Sequence, residues 1–316
     1  MEKPHIVICD GFDKTLFEEL KNISEFNVHP TAKNTQEQIQ NLLPTMTAAV
    51  IRSATTVDTN FLEQAPNLKY VIRAGEGTDN IDKASCQQKG VKVSNTPGAN
   101  NNSAAEHAIA LMFTVLRKTA YAHQSMMASR WEKSKFTGVE LSNKKIGVVG
   151  FGRIGNIVAK RLAGFEPEVL FFDPFINESD IPYAKKAETL EEIFSSCDIV
   201  TIHVPLVEQT RNLITKDLLE KMPAHAILVN ASRGGILNEQ DLYDTLKEKK
   251  IRGAALDVFA NEPLEENSPL RELDNLVLTP HLGASTEEAQ VRVGEMVIHQ
   301  LKEFFINNNL LNEVKV

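Results

Sequence analysis

Cysteine is scarce. Only Cys9, Cys86 and Cys197 occur in 316 residues, and no two form a CxxC pair. A disulfide framework is thereby excluded, no metal site is expected, and a reducing compartment fits best. Long apolar runs are missing too: none approaches the ~20 uninterrupted residues that a membrane-spanning helix needs. The N-terminus, MEKPHIVICDGFDK, is charged and passes straight into a short strand-like run. Neither a secretion signal nor a membrane span is expected, and the expected location is the cytoplasm. There is no excess of basic charge, since 34 Lys plus Arg face 42 Asp plus Glu for a net charge of −8. Such a chain offers no basic field to nucleic acid or acidic lipid. Internal repeats and low-complexity segments are also absent. What is present, 42% hydrophobic and 24% charged residues, is a globular composition with apolar mass for one large core or two smaller ones.

Short Val- and Ile-rich runs alternate with stretches of helical spacing along the whole chain, the signature of βαβ units and parallel sheets. In the first third the pattern predicts strands at His5 to Cys9, Phe26 to Val28, Ala48 to Arg52, Leu68 to Arg73 and Val91 to Ser94, closed by the turn Asn95-Thr96-Pro97-Gly98. A long helix is predicted over Asn101 to Lys118, with Ser103 and Glu106 as an S-x-x-E capping box. The more polar stretch Tyr121 to Trp131 reads as a second helix or an arm. Six further strand candidates follow: 146–150, 169–173, 198–205, 226–232, 253–259 and 275–281. That number, with helices between, is what a doubly wound dinucleotide-binding sheet requires. A last helical run covers Ser285 to Asn307.

Gly150-Phe151-Gly152-Arg153-Ile154-Gly155 follows one predicted strand and opens a helical run. Glycines there let the backbone turn tightly and approach a pyrophosphate, whose charge sits on the helix N-terminal amides. Asp173 ends the next strand, where a carboxylate can accept ribose hydroxyls and repel the extra phosphate of NADP. NAD is therefore the expected cofactor.

Arg233 in NASRGGIL, Glu262 in DVFANEP and His281 in TPHLGAST each follow a strand candidate of the second half. Carboxyl ends of strands face the ligand crevice in an open α/β sheet, so all three can reach a cofactor's reactive end. Their chemistry is complementary. Arginine offers a planar, permanently charged fork for a carboxylate. Histidine exchanges protons near neutral pH, and a carboxylate beside it stabilises the imidazolium. Taken singly, Arg233 also reads as a capping contact, Glu262 as a loop acid and His281 as a packed turn histidine. Asp257 either faces the nicotinamide or serves the turn. His203 lies at a strand end and can line the cofactor site, whereas His5, His29, His123, His225 and His299 have no companions suggesting catalysis. For His107, beside Glu106 on the long helix, packing is the expected role. In the first third, Arg52-Ser53 and Arg73-Ala74-Gly75-Glu76-Gly77 end neighbouring strands and make a candidate anion pocket, or two exposed strand-end arginines.

These segments together resemble the D-isomer-specific 2-hydroxyacid dehydrogenases, and among them the D-3-phosphoglycerate dehydrogenases. The resemblance runs from about Arg52 to Phe305 and rests on RAGEGTDNID, NTPGANNNSAAEHAIALM, GVVGFGRIG, FFDP, NASRGGIL, GAALDVFANEP and PHLGAST. It implies an α/β fold of two doubly wound parallel-sheet domains: a smaller flavodoxin-like substrate domain from 1–98 and 285–316, and a Rossmann domain from 99–284. It implies that Arg233 binds the substrate carboxylate, Glu262 pairs with His281, and His281 transfers the hydroxyl proton. For the cofactor it implies contacts from Gly150, Gly152, Arg153, Ile154, Gly155, Asp173, His203, Val204, Pro205, Ala231, Ser232 and Asp257, and from the 281–284 turn with Gly283 and Ala284. For the substrate it implies Arg52, Ser53, Arg73, Gly75, Glu76, Gly77 and Asn100. Arg52 and Arg73 stand where similar phosphoglycerate dehydrogenases hold the phosphate. Glu76 departs from the usual small hydroxyl residue and Ala99 from the usual glycine, which bears on substrate choice. A glyoxylate or hydroxypyruvate reductase and an NAD-sensing corepressor fit the same pattern. A homodimer built on Asn101 to Leu141 is implied. The sequence ends about ten residues past the last helix, so no C-terminal regulatory domain and no feedback inhibition by serine are expected.

Overall fold

The computed structural model describes residues 2–315. They form two compact units, one made of the chain up to Asn100 and from Ala284 on, the other of Asn101–Gly283. Ala99, Asn100 and Ala284, expected in the Rossmann domain, thus belong to the first unit.

The first unit is a five-stranded parallel sheet of β1 (His5–Ile8), β2 (Asn27–Val28), β3 (Ala48–Ile51), β4 (Tyr70–Arg73) and β5 (Lys92–Asn95), in the order β2-β1-β3-β4-β5. Residues alternate between its faces, and both faces are buried, as a sheet covered on both sides requires. Ile6, Ile8, Val50 and Ile72 pack with Val297, Ile298 and Leu301 of the helix Glu287–Phe305. Val7, Ile51, Val71 and Val93 form a second core with Phe61 and Leu62.

The second unit holds β6 (Lys145–Val149), β7 (Glu168–Phe172), β8 (Ala184–Lys186), β9 (Ile199–Ile202), β10 (Ile227–Asn230), β11 (Gly253–Leu256) and β12 (Leu276–Leu278). All pair in parallel in the order β12-β11-β10-β9-β6-β7-β8, so the chain reverses its direction of winding between β6 and β9. That switch point is where open α/β sheets bind ligands. The helix Asn101–Arg117 covers one face with Ala108, Leu111, Met112 and Val115.

Three expectations are corrected. Strand β8 has no apolar run to announce it, because a three-residue edge strand of sequence AKK buries little. The helix begins at Asn101, so Ser103 lies inside its first turn rather than capping it, and Glu106 instead pairs with Arg161 at 3.2 Å. The strands β9 to β12 end two or three residues before their apolar runs do. After β10 the cause is local: Asn230 accepts the Ser232 amide at 3.1 Å and turns the backbone out of the ladder. Site residues beyond these points therefore sit on loops above the sheet.

Candidate active site

The glycine turn follows β6 directly. Gly150 has φ +89°, and a Cβ there would stand 2.7 Å from the His203 backbone, so only glycine lets the turn press against the end of β9. A Cβ on Gly155 would stand 2.2 Å from the Gly150 carbonyl oxygen, which fixes the close approach of the helix Arg153–Arg161 to the strand. Gly152 differs. Nothing lies within 4 Å of its would-be Cβ, and as N-cap it provides no side-chain hydrogen bond to the helix. Gly152 and Arg153 are exposed, so the start of this helix is accessible, the kind of place that receives an anion. Asp173 is buried, and its carboxylate accepts the amides of Phe151 at 2.9 Å, Phe175 at 2.8 Å and Ile176 at 3.2 Å. About one of its roughly four acceptor directions remains for a ribose hydroxyl. His203 Nε2 lies 2.9 Å from Thr201 Oγ1, and desolvation pushes its pKa down to about 4, which keeps the ring neutral. A dinucleotide fits these residues: backbone exposed where pyrophosphate must approach, and a fixed carboxylate on the neighbouring strand.

Arg233, Glu262 and His281 leave the carboxyl ends of three adjacent strands, β10, β11 and β12. The structure brings their loops together through backbone contact. A Cβ on Gly234 would stand 1.8 Å from the Phe259 carbonyl oxygen, so the Arg233 loop rests directly on the loop carrying Glu262. Asn230 Nδ2 donates to the Arg233 carbonyl at 3.0 Å, and Arg233 Nη1 donates to the Ser232 carbonyl at 2.7 Å. Glu262 Oε2 lies 2.7 Å from His281 Nδ1, while Oε1 accepts the Phe259 amide at 3.0 Å. Burial works to raise the Glu262 pKa, but the hydrogen bonds from His281 and Phe259 outweigh it and hold the carboxyl below its ordinary range. An ionised Glu262 on Nδ1 leaves Nε2 of His281 as the ring nitrogen for proton exchange.

His281 itself has φ +55°, a left-handed conformation costing a non-glycine residue on the order of 1–3 kcal/mol. Asp257 holds it there. This carboxylate is fully buried and accepts Thr279 Oγ1 at 2.6 Å, the Leu282 amide at 2.8 Å and the Gly283 amide at 2.9 Å, while the Asp257 carbonyl accepts the His281 amide at 2.8 Å. His107 Nε2 lies 3.0 Å from Asp257 Oδ1. Packing was the expectation for His107, and a partnered histidine is what the structure shows. Its partner lies on a different strand's loop, so no local spacing in the sequence signals the contact. His225, for which no companion suggesting ligation or catalysis was expected, lies 2.7 Å from Asp198 Oδ1 on an exposed rim.

In the first unit, Ile51 and Arg73 are register partners, which puts Arg52 and Arg73 at neighbouring strand ends. Arg52 Nη1 donates to Gln290 Oε1 at 2.9 Å, and its amide donates to Asp10 at 2.6 Å. Arg73 folds back so closely that a Cβ on Gly75 would fall 1.5 Å from Nη1. Glu76, expected to turn its charge toward the substrate, accepts the Gly98 amide at 2.7 Å, and Asn95 Nδ2 donates to its carbonyl at 2.6 Å. The turn at 95–98 leaves that amide without a ladder partner, and the carboxylate supplies one. Asn100 Oδ1 is buried with no hydrogen-bond partner among the described residues. Ser53 is exposed and Gly77 half-buried.

Residues 109–283, more than half of the chain, match the D-isomer specific 2-hydroxyacid dehydrogenase, NAD binding domain. The chain belongs to that family. Among curated relatives, the D-3-phosphoglycerate dehydrogenase of Archaeoglobus fulgidus is 44% identical over 84% of this chain and 51% of its own length. This chain therefore spans about half the length of that relative. The hydroxypyruvate reductase of Thermotoga maritima is 40% identical over 97% of this chain and 100% of its own. Among solved structures, the NAD-dependent formate dehydrogenase from Staphylococcus aureus in complex with NAD is 31% identical, covers 100% of this chain and 99% of its own, and has a TM-score of 0.86. Among the described residues no helix is long and apolar enough to cross a membrane, and no cluster of His, Cys, Asp or Glu could hold a metal ion.

Proposed function

We propose that this family member is an NAD-dependent D-2-hydroxyacid dehydrogenase that oxidises D-3-phosphoglycerate to 3-phosphohydroxypyruvate, the entry to serine synthesis. The observation that carries the dehydrogenase reading is the 2.7 Å contact between Glu262 and His281, with the Arg233 loop resting on the loop of Glu262. NAD held by these residues would supply, at nicotinamide C4, the acceptor for the hydrogen that leaves substrate C2 with its electron pair. His281 Nε2 takes the hydroxyl proton as the C2 oxygen becomes a carbonyl, and Glu262 stabilises the imidazolium through Nδ1. Arg233 binds the carboxylate through its charged fork. The open helix start behind Gly152, with Arg153 and Ile154, receives the pyrophosphate; Asp173 accepts a ribose hydroxyl; Val204 and Pro205 flank the adenosine; Ala231, Ser232, Gly283 and Ala284 lie toward the nicotinamide.

Arg52 and Arg73, with the 75–77 turn and Asn100, hold the phosphate end, and their placement on paired strands supports a dianionic substrate. Hydroxypyruvate reduction is the second reading, favoured by the Thermotoga maritima relative, which matches over its whole length. A panel of 2-hydroxy and 2-keto acids, phosphorylated and not, followed by NADH absorbance, tests both. Turnover of unphosphorylated acids alone would reject the phosphoglycerate assignment, and turnover of none would reject the dehydrogenase reading in favour of an NAD-binding regulator. The protein is further proposed to work as a cytoplasmic homodimer, which Met126, Met127 and Trp131, exposed together on and just after one helix, support.

A further inference from the structure

We infer that His107 is a positioning residue for proton transfer, acting on His281 through the buried carboxylate of Asp257; this rests on the reading of His281 as the proton carrier. Each amide of the 281–283 turn donates to Asp257. Its carbonyl takes the amide of His281, and its two carboxylate oxygens take those of Leu282 and Gly283. The left-handed backbone of His281, and with it the direction of the ring, follows from keeping all three bonds.

The bonds from Leu282 and Gly283, one to each carboxylate oxygen, require that Asp257 remain ionised. A protonated carboxyl turns one oxygen into a donor, and a donor cannot face an amide N–H. Asp257 has no exposed surface, and a buried carboxylate stays charged only if it is paired or richly hydrogen-bonded. Its donors are two amides, the Thr279 hydroxyl at 2.6 Å and His107 Nε2 at 3.0 Å. Of these, only the His107 donor comes from outside the turn and its strand, on the helix Asn101–Arg117. His107 Nε2 is also 3.3 Å from Thr279 Oγ1, so it touches both side chains that anchor the turn. The active-site side of the second unit thus carries two histidine–carboxylate pairs, His281–Glu262 and His107–Asp257, joined through one turn. The first exchanges the proton, and the second holds the first in place.

The experiment compares His107→Ala with His107→Gln, which keeps a donor toward Asp257. For each variant kcat and KM are measured, together with the melting temperature and the ¹⁵N spectrum of the His281 imidazole in cofactor-free protein. We expect His107→Ala to lower kcat about 10- to 100-fold with substrate KM within about threefold, the pattern of a lost transition-state arrangement. The His281 ring signals should shift, and His107→Gln should restore most of kcat and the parent spectrum. Unchanged kcat and unchanged His281 signals in His107→Ala would overturn the inference. So would equal losses in both variants that track a fall in melting temperature, since that marks a purely structural role. His281→Ala, run alongside, separates the two readings. If it retains full turnover, the proton-carrier assignment fails, whereas the link from His107 to the His281 ring stands or falls on the spectrum alone.

Discussion

Glu262 Oε2 and His281 Nδ1 are 2.7 Å apart, and the second oxygen of the same carboxylate is tied to the Phe259 amide at 3.0 Å. The acid is thus anchored to its own loop and cannot swing away from the ring. Replacing His281 with alanine should lower kcat by about 10²- to 10⁴-fold, the usual worth of a general acid–base group. Glu262→Gln should lower it less, because the amide still holds the ring but no longer balances its charge. Steady-state kinetics with NADH absorbance checks both, and a His281→Ala enzyme with full kcat would remove His281 from the mechanism.

Acid should weaken the second unit through two groups. Burial favours neutral Asp257, yet hydrogen bonds from His107, Thr279 and the Leu282 amide hold its pKa below the ordinary 3.8, as contacts to His281 and Phe259 hold Glu262 below 4.5. A depressed pKa in the folded state contributes stability that is complete above the unfolded value and is lost as pH falls through the folded one. The melting temperature should therefore decline below about pH 4, and Asp257→Asn should flatten that decline while lowering stability at pH 7. Calorimetry over pH 2.5 to 7 measures it; identical acid slopes in parent and variant would contradict the assignment.

Gly152 and Gly155 should respond differently to alanine. At Gly155 the methyl meets the Gly150 carbonyl at 2.2 Å, so both melting temperature and NADH affinity should fall. At Gly152 the methyl meets nothing within 4 Å. Folding should be preserved there and NADH affinity reduced roughly tenfold or more, because only a bound pyrophosphate contests that space. Fluorescence titration with NADH gives the two affinities, and unaltered binding in Gly152→Ala would place the pyrophosphate elsewhere.

Substrate choice is tested at Arg52 and Arg73. Each alanine variant should raise KM for phosphoglycerate by roughly 10- to 100-fold, consistent with a charge-assisted hydrogen bond to phosphate, and should leave hydroxypyruvate KM within a few fold. Equal effects on both substrates would mean that these arginines serve the fold, through the Gln290 contact of Arg52 for example.

Trp131 is 81% exposed and Met127 73% exposed. If a second copy covers them, Trp131→Glu should shift sedimentation from dimer to monomer at micromolar concentration. A parent chain that sediments as a monomer would reject the proposed assembly.

Much of this was legible in the residues themselves. Parallel strands buried on both faces must be short and apolar, so β1, β3, β4 and the strands of the second sheet other than the edge strand β8 announce themselves by short apolar runs. GFGRIG reads as a turn between strand and helix because Gly150 and Gly155 stand where a Cβ would strike backbone and Gly152 leaves room for an anion, and the trio Arg233, Glu262 and His281 reads as chemistry because each side chain follows a strand end. What the tertiary structure decided lies between residues distant in sequence or set by backbone geometry. His107 reaches Asp257 only because the helix Asn101–Arg117 packs across the sheet, and Glu76 spends its charge on Gly98 because β4 and β5 are neighbours. The left-handed turn at His281 likewise depends on a carboxylate 24 residues earlier in the chain. Local pattern records which residues must be buried and where the backbone must turn; which polar groups satisfy one another is settled only when the sheet has assembled and each buried donor must find an acceptor.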